Sequence, residues 1–265
     1  MALTWPPQLQ SLAPEQRARL LLASLQSGGF PDLWQEAMQK ADVRPVPLQK
    51  FSAPADMPVA QAVTQAATRT GLAPEALVAI IDAEAARDSQ GQWKSSARNP
   101  HSSALGLGQF LARTWVQEAE RAGTWLHQEA TRRGWLDAAG KVVEAARKPL
   151  LALRADARAS IEAVADYARH NLRYLQKKGV ALPEDGAAQA RLAYLGHHLG
   201  AGDALRFVQG RLSQARGAHL LAAQIGEAAA QKRIAAAGDG ATAHRQWLQD
   251  YISHHVDSAR LRRLA

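Results

Sequence analysis

A glutamate on an apolar helix face is the first feature of this sequence that could carry out chemistry. The segment 74–86 reads PEALVAIIDAEAA. Four of its residues recur at the spacing i, i+3, i+4 and i+7, which predicts one face of a helix: Leu77, Ile80, Ile81 and Glu84. Burial raises the pKa of a carboxyl group and so keeps an acid protonated for general acid catalysis. A glutamate at the edge of such a face can equally cap the helix or pair with an arginine.

A second segment combines glycines, a glutamine and aromatic side chains. It spans 102–115 and reads SSALGLGQFLARTW. Gly106 and Gly108 allow the backbone to approach a ligand closely. Gln109 offers both a hydrogen-bond donor and an acceptor, and Trp115 offers a face on which a sugar ring can stack. Glycine-rich turns before helices are common, so this segment alone does not identify a function.

The third segment, 193–203, contains two adjacent histidines in the run AYLGHHLGAGD. On a helix, His197 and His198 point about 100° apart and cannot chelate one ion together. The same holds for His254 and His255. No HExxH pattern accompanies either pair, so we predict no metal site and no cofactor. The default interpretation is a packed or pocket-lining histidine.

In this order, the three segments resemble the lysozyme-like soluble lytic transglycosylase family. The middle segment is similar to the Ser-Ser-Ala-x-Gly-x-x-Gln-Phe-Leu-x-x-Thr-Trp motif of transglycosylase endolysins from large tailed bacteriophages. The resemblance covers residues 57–256, about three-quarters of the chain. It implies that Glu84 is the single catalytic acid and base. It also implies a substrate-binding set of Ser102, Ser103, Gly106, Gln109, Phe110, Trp115, Tyr194, His197 and His198.

The sequence departs from the family pattern in three places. The third motif of the family reads Ala-Tyr-Asn-x-Gly-x-Gly, and its glycines are matched here. His197 and His198 stand where tyrosine and asparagine are usual, however, and Ala85 stands where serine normally follows the glutamate. An additional segment, 87–101, separates the first two motifs. It is expected to be either a lid over the cleft or a surface insertion.

The implied reaction is cleavage of the β-1,4 bond between N-acetylmuramic acid and N-acetylglucosamine in peptidoglycan. Glu84 would protonate the glycosidic oxygen and then, as a base, help the C6 hydroxyl to form a 1,6-anhydro sugar. A hydrolase would need a second carboxylate. Asp82 faces away, but Asp88 lies four residues after Glu84 and keeps a lysozyme-type muramidase as an alternative. A non-catalytic wall-binding or virion structural protein is a further alternative.

The elements that must position these residues are predicted to be helices. Alanine, a strong helix former, makes up about one residue in five, and strand-like runs of β-branched and aromatic residues are missing. We therefore predict an all-α fold, with at most a minimal β element. The predicted helices are 14–26, 31–40, 59–70, 74–86, 111–122, a stretch around 150–153, 161–177, 187–199, 203–209, 218–237 and 241–256.

Four regions are expected along the chain. Residues 1–45 form a small helical accessory region, and residues 46–57 a proline-rich linker or arm. By the resemblance, residues 58–258 form a lysozyme-like catalytic domain. Residues 259–265 form a basic tail.

Composition limits the partners. The 265 residues include 32 Lys+Arg and 24 Asp+Glu, a net charge of +8, and no cysteine. This excludes disulfides and thiolate chemistry and predicts an anionic partner. Because the cations are scattered without a helix-turn-helix pattern, we expect no nucleic acid. The resemblance implies peptidoglycan as the partner, with anionic outer-membrane lipids as a further contact. We expect a monomer.

The N-terminus lacks a basic region followed by an apolar one, which predicts no signal peptide. We therefore expect synthesis in the cytoplasm. The protein would reach the periplasmic wall after holin-type release or delivery in a virion.

Overall fold

The described part of the chain, residues 59–100, 102–183 and 186–256 of a computed structural model, is built from α-helices. The helices are α1 Val59–Thr70, α2 Pro74–Glu84, α3 Ala112–Glu120, α4 Trp125–Arg132, α5 Glu144–Ala152, α6 Ala157–Lys177, α7 Gly186–Val208, α8 Gln214–Ile225, α9 Glu227–Ala237 and α10 Gly240–His255. A short 3₁₀ turn, Leu153–Ala155, joins α5 to α6. The all-α prediction is confirmed.

The β structure of the described residues is limited to isolated antiparallel bridges. These pair Arg87 with Trp93, Arg98 with Leu105, Leu105 with Phe110, and Leu136 with Val142. Three of the four bridges lie between α2 and α3, where the chain carries the second motif. The predicted helices 14–26 and 31–40, the regions 1–45 and 46–57, and the tail 259–265 lie outside the described residues.

Helix α6 lies at the centre of the core, because it packs against α1, α2, α4 and α7. Asp156 caps its N-terminus: the carboxylate accepts a hydrogen bond of 2.7 Å from the Ala159 backbone N–H and so satisfies one free donor of the first turn. Its buried apolar side chains follow helical spacing: Ile161, Val164, Ala168, Leu172 and Leu175. Each large aliphatic chain buried in this way stabilises the fold by about 1.5–3 kcal/mol.

A buried ion-pair network joins three of the helices. Arg69 of α1 contacts Glu162 at 2.8 Å and Asp166 at 2.7 Å, both on α6. Asp166 also accepts a 2.7 Å hydrogen bond from the backbone N–H of Trp125, at the start of α4. Both carboxylates are almost fully buried, and Asp166 has a further contact only with Arg169, at 3.2 Å, among the salt bridges of the described residues. Losing Arg69 would therefore remove a close partner from each of two buried charges, which costs several kcal/mol. The network therefore fixes α1 and α4 on the central helix.

Helix α2 carries the first motif and ends two residues earlier than predicted. Pro74 occupies its first turn, and Leu77, Ile80 and Ile81 are fully buried against α6 and α7. The backbone turns extended at Ala85, so Glu84 is the last helical residue. The carboxylate therefore lies at the rim of the core instead of within the helix.

Helix α7 carries the third motif and contains a break at Gly200. This residue has φ 74° and ψ 159°, a conformation outside the helical region that glycine adopts readily. The break separates two helical halves, in agreement with the predicted helices 187–199 and 203–209. The first half packs on α2 and α6 and brings its histidines toward the end of α2.

The last three helices form a small cluster around Leu221, Ala230 and Ala243. Helices α8 and α10 approach closely at Gly217 and Gly240, where an added Cβ would overlap the facing backbone. The predicted helix 218–237 is in fact two helices, because Gly226 adopts φ 81° between α8 and α9. Within the described residues, no helix is both long and apolar enough to span a membrane.

Candidate functional site

The three sequence motifs meet at the end of α2. The Glu84 side chain is 18% exposed, and its Oε1 lies 3.7 Å from Nδ1 of His198. The same nitrogen lies 3.2 Å from the hydroxyl of Tyr194, one turn earlier on α7. Glu84, Tyr194 and His198 therefore form one polar cluster between the end of α2 and the first half of α7.

His197 joins the second motif to the third. Its Nε2 lies 3.0 Å from the carbonyl oxygen of Gly108, which requires Nε2–H to donate. Its ring meets Phe110 and Tyr167 edge-on, with centroid distances of 5.3 and 5.7 Å. Burial lowers the pKa of His197, so the ring is neutral near pH 7. His197 thus anchors the glycine-rich loop instead of standing open to a ligand.

Aromatic residues of α10 complete the cluster, and the sequence motifs did not include them. The ring of His198 stacks with Tyr194 at 5.4 Å and with Tyr251 at 6.4 Å. The Tyr251 hydroxyl donates a 2.9 Å hydrogen bond to the carbonyl oxygen of Ala83, which ties α10 to the last turn of α2. Trp247, Tyr251 and His255 follow an i, i+4, i+8 spacing. This aromatic stripe is the feature of the sequence from which their place in the site could have been predicted.

The electrostatics of Glu84 differ from the sequence-based expectation. Burial raises the pKa of Glu84, but the neighbouring side chains of His198, His197 and Tyr194 lower it by more. The net pKa lies below the ordinary value of a glutamate. The expectation that the apolar face alone keeps this carboxyl protonated is therefore wrong for the unliganded protein. The Tyr194 hydroxyl stays protonated, because burial and the neighbouring Glu84 raise its pKa.

The glycine-rich loop is held tightly against the core. At Gly106, φ is +88°, and a Cβ would overlap the backbone carbonyl of Arg154. The Gln109 backbone has a φ of 44°, and its side-chain amide donates hydrogen bonds to the carbonyl oxygens of Ala97 at 3.1 Å and Gly106 at 2.8 Å. The amide nitrogen of Gln109 is therefore engaged in shaping the loop.

Two aromatic residues of the expected substrate-binding set are core residues. Trp115 is fully buried, and its indole N–H donates a 2.9 Å hydrogen bond to the Leu150 carbonyl oxygen. Phe110 is 3% exposed and meets Trp115 edge-on at 5.4 Å. Neither ring has a free face, so the expectation that Trp115 stacks on a sugar is wrong, as is a direct contact from Phe110. Tyr194 is 1% exposed and can act only through its hydroxyl.

Ser102 and Ser103 shape the backbone before α3. The Ser103 hydroxyl accepts a 3.1 Å hydrogen bond from the Ala112 N–H, at the first residue of α3. The Ser102 hydroxyl accepts a 3.2 Å hydrogen bond from the Ala104 N–H. Both serines are exposed. Their surface position is compatible with a ligand contact, and their hydroxyls already serve the local fold.

The segment after α2 folds into a tight turn beside Glu84. The Asp82 carboxylate is paired with the Arg87 guanidinium and accepts a 3.1 Å hydrogen bond from the Trp93 indole N–H. Asp88 is exposed, and its Oδ1 accepts backbone hydrogen bonds of 2.9 Å from Gln90 and Gln92. Because α2 ends at Glu84, Asp88 does not lie one helical turn beyond it. The expectation that places Asp88 on the same helix face is wrong.

The site contains no recognisable metal centre. In the described ranges, no group of three or more His, Asp or Glu side chains could hold an ion.

Neither the protein-family models nor the curated proteins searched contain a match to this chain.

Proposed function

We propose that this chain is a lytic transglycosylase that cleaves the N-acetylmuramic acid–N-acetylglucosamine β-1,4 bond of peptidoglycan, as a phage or prophage endolysin acting on the periplasmic wall. The observation that supports this most is the meeting of the three motifs around one carboxylate. Glu84 faces His198, and His197 of the same helix binds the loop that carries Gly108. A polar cluster of this kind at the rim of an apolar core suits acid–base chemistry.

The reaction needs only one carboxyl group. Protonated Glu84 gives its proton to the glycosidic oxygen as the bond to the anomeric carbon breaks. The resulting carboxylate takes the proton of the C6 hydroxyl, and O6 bonds to the anomeric carbon. The leaving sugar gains one proton and the muramoyl hydroxyl loses one, so no water is consumed and Glu84 is protonated again.

The surroundings of Glu84 favour this reaction over hydrolysis. A retaining glycosidase places its two carboxyl groups about 5–5.5 Å apart, and an inverting one about 6.5–9.5 Å apart. In the described residues, neither neighbouring aspartate is available for that role. Asp82 is engaged with Arg87 and Trp93, and Asp88 accepts the backbone hydrogen bonds of its own turn.

Replacement of Glu84 by glutamine tests the proposal. Purified Gram-negative sacculi are incubated with the wild type and with Glu84→Gln, and the released muropeptides are analysed by mass spectrometry. We expect 1,6-anhydro ends from the wild type and a rate loss of about 10²–10⁴ for the variant, since the amide cannot transfer the proton. Glu75→Gln, at the other end of α2, is the matched control and is expected to keep activity.

The alternatives predict other results. Reducing ends, together with loss of activity in Asp88→Asn, would identify a lysozyme-type muramidase. Tight binding to sacculi without any released product would identify a non-catalytic wall-binding protein. Unchanged circular dichroism of Glu84→Gln shows that a loss of activity is chemical and not a failure to fold.

A further inference from the structure

We propose that His198 is the proton-sharing partner of Glu84, so that the two side chains together hold the one proton that bond cleavage uses. This inference rests on the proposed function and assigns a positioning residue to it. His198 departs from the family motif, and it stands at the position where that motif has asparagine. An asparagine amide can orient a carboxylate, but it cannot exchange a proton with it at ordinary pH.

The geometry of the pair is fixed from several directions. The His198 side chain is 9% exposed, and its ring packs beside those of Tyr194 and Tyr251, at centroid distances of 5.4 and 6.4 Å. This stacking holds the ring plane so that Nδ1 faces both the Glu84 carboxylate, at 3.7 Å, and the Tyr194 hydroxyl, at 3.2 Å. The hydroxyl also helps to lower the pKa of Glu84, so Tyr194 acts on both members of the pair.

The other ring nitrogen of His198 disfavours a permanent charge. Nε2 is buried and has no hydrogen-bond partner among the described residues. A charged imidazole carries N–H on both nitrogens, and a buried unpaired donor costs more when it is charged. Transfer of the Nδ1 proton to Glu84 neutralises both groups. The pair is thus poised between an ion pair and a neutral acid.

Sugar binding shifts this balance toward the neutral acid. In the open site the carboxylate is partly exposed, and water stabilises the ion pair. A bound glycan removes that water, and two opposite charges in a drier site lose more solvation than a neutral pair does. The proton moves to Glu84, which then donates it to the glycosidic oxygen. After Glu84 takes the C6 hydroxyl proton, that proton returns to His198. The pair then holds one proton again, as it did before the reaction.

Other titratable groups surround the pair. They are Tyr194 and His197 on α7, and His244, Tyr251 and His255 on α10. Burial lowers the pKa of His197 and lowers that of His244 to about 4, while burial raises that of Tyr194. His244 and Tyr194 therefore keep one protonation state between pH 5 and 8. His255 stacks on Tyr251 at 4.0 Å, so a control variant at His255 is needed to separate its effect from that of His198.

The pH dependence of cleavage tests the pair, with His198→Asn as the variant and His255→Asn as the control. The wild type loses activity when the pair gives up its shared proton, so its rate declines as the pH rises through that step. In His198→Asn the Glu84 carboxyl alone holds the proton, so the decline moves to lower pH and the rate near neutral pH falls about tenfold or more with little change in KM. His255→Asn keeps the wild-type decline.

A second measurement does not depend on activity. Carbon-13 NMR follows the titration of the Glu84 carboxyl group in the wild type and in His198→Asn, and we expect it to move to higher pH in the variant, because the imidazole that helps to lower the pKa of Glu84 is removed. An unchanged titration, or a His198→Asn profile that keeps its shape and is only lower, would overturn the proposal. If the wild type does not cleave sacculi, the proposed function fails, and the NMR titration alone decides whether the pair shares a proton.

Discussion

The protonation of Glu84 depends on residues that are distant in sequence. The apolar spacing of the 74–86 segment predicts a carboxyl group whose pKa burial raises. The structure retains that burial and adds His197, His198 and Tyr194, which together lower the pKa below the ordinary value. Local pattern predicts how far a side chain is buried, but the partners that α7 supplies depend on the fold. For a buried acid, those partners decide the sign of the shift.

Gly106 is the residue of the glycine-rich loop whose size is most restricted. Its φ of +88° and the adjoining Arg154 carbonyl leave no room for a Cβ. We expect Gly106→Ala to destabilise the fold by about 3 kcal/mol or more, since both strain and overlap must be relieved. Gly91→Ala is the matched control, because Gly91 has a φ of +79° with open space around it.

Urea unfolding followed by circular dichroism measures both variants. For Gly91→Ala we expect a loss of about 1 kcal/mol, which reflects the backbone conformation alone. Equal losses in the two variants would show that the contact with Arg154 does not restrict the loop.

At the scale of helices, the sequence predicts those with a regular apolar stripe and misses those without one. Helix α1 has the predicted bounds, and its buried residues recur at helical spacing: Ala62, Val63, Ala66, Ala67 and Thr70. Helix α4 is short and mostly polar, with only Leu126 and Ala130 buried, and it was not predicted. The glycine at 226 divides a long alanine-rich run that reads as one helix.

The same distinction applies to the candidate site. The sequence predicts that the glutamate, the glycine-rich loop and the paired histidines belong together. It does not predict Tyr251, whose hydrogen bond to Ala83 exists only because α10 folds back onto α2. Nor does it distinguish an exposed Trp115 from a buried one, because that depends on the Leu150 carbonyl of α5. Residue type identifies the candidates, and tertiary packing decides which of them reach solvent.

The packing of α10 makes stability depend on pH through His244. This side chain is fully buried near Phe207 and Trp247, and neither ring nitrogen has a hydrogen-bond partner among the described residues. Burial, with smaller contributions from His198 and Arg245, lowers its pKa from 6.5 to about 4. The unfolded chain therefore binds the proton more readily, and stability falls as the pH drops from about 6.5 toward 4. The contribution is about 3 kcal/mol.

Urea unfolding at pH 7.5 and 4.5 checks this, with His244→Leu as the comparison. Other groups also titrate in this range, so the informative quantity is the difference between the two proteins. We expect the wild type to lose about 2.5 kcal/mol more than His244→Leu between the two pH values. An equal loss in both proteins would show that His244 does not carry the pH dependence.

At the scale of the whole molecule, part of the acidic charge is neutralised within the fold. Glu162 and Asp166 pair with Arg69, and Asp203 pairs with Arg206 and Arg216. Burial raises the pKa of Asp203, but the two arginines lower it more, so Asp203 stays ionised. These acids are largely buried and contribute little to the outer surface. Most lysines and arginines of the described residues are exposed, so positive charge is presented outward.

This outward charge predicts a salt-dependent attachment to the anionic bacterial wall. Retention on purified sacculi is expected to weaken several-fold between about 50 and 500 mM NaCl, as the screening length falls from about 14 to 4 Å. Because the cations are scattered, we expect no retardation of duplex DNA at about 150 mM salt. Glu84→Gln is used for both measurements, so that the sacculi are not digested during binding. Strong DNA retardation with sacculus retention that ignores salt would favour a nucleic-acid-binding protein over a wall enzyme.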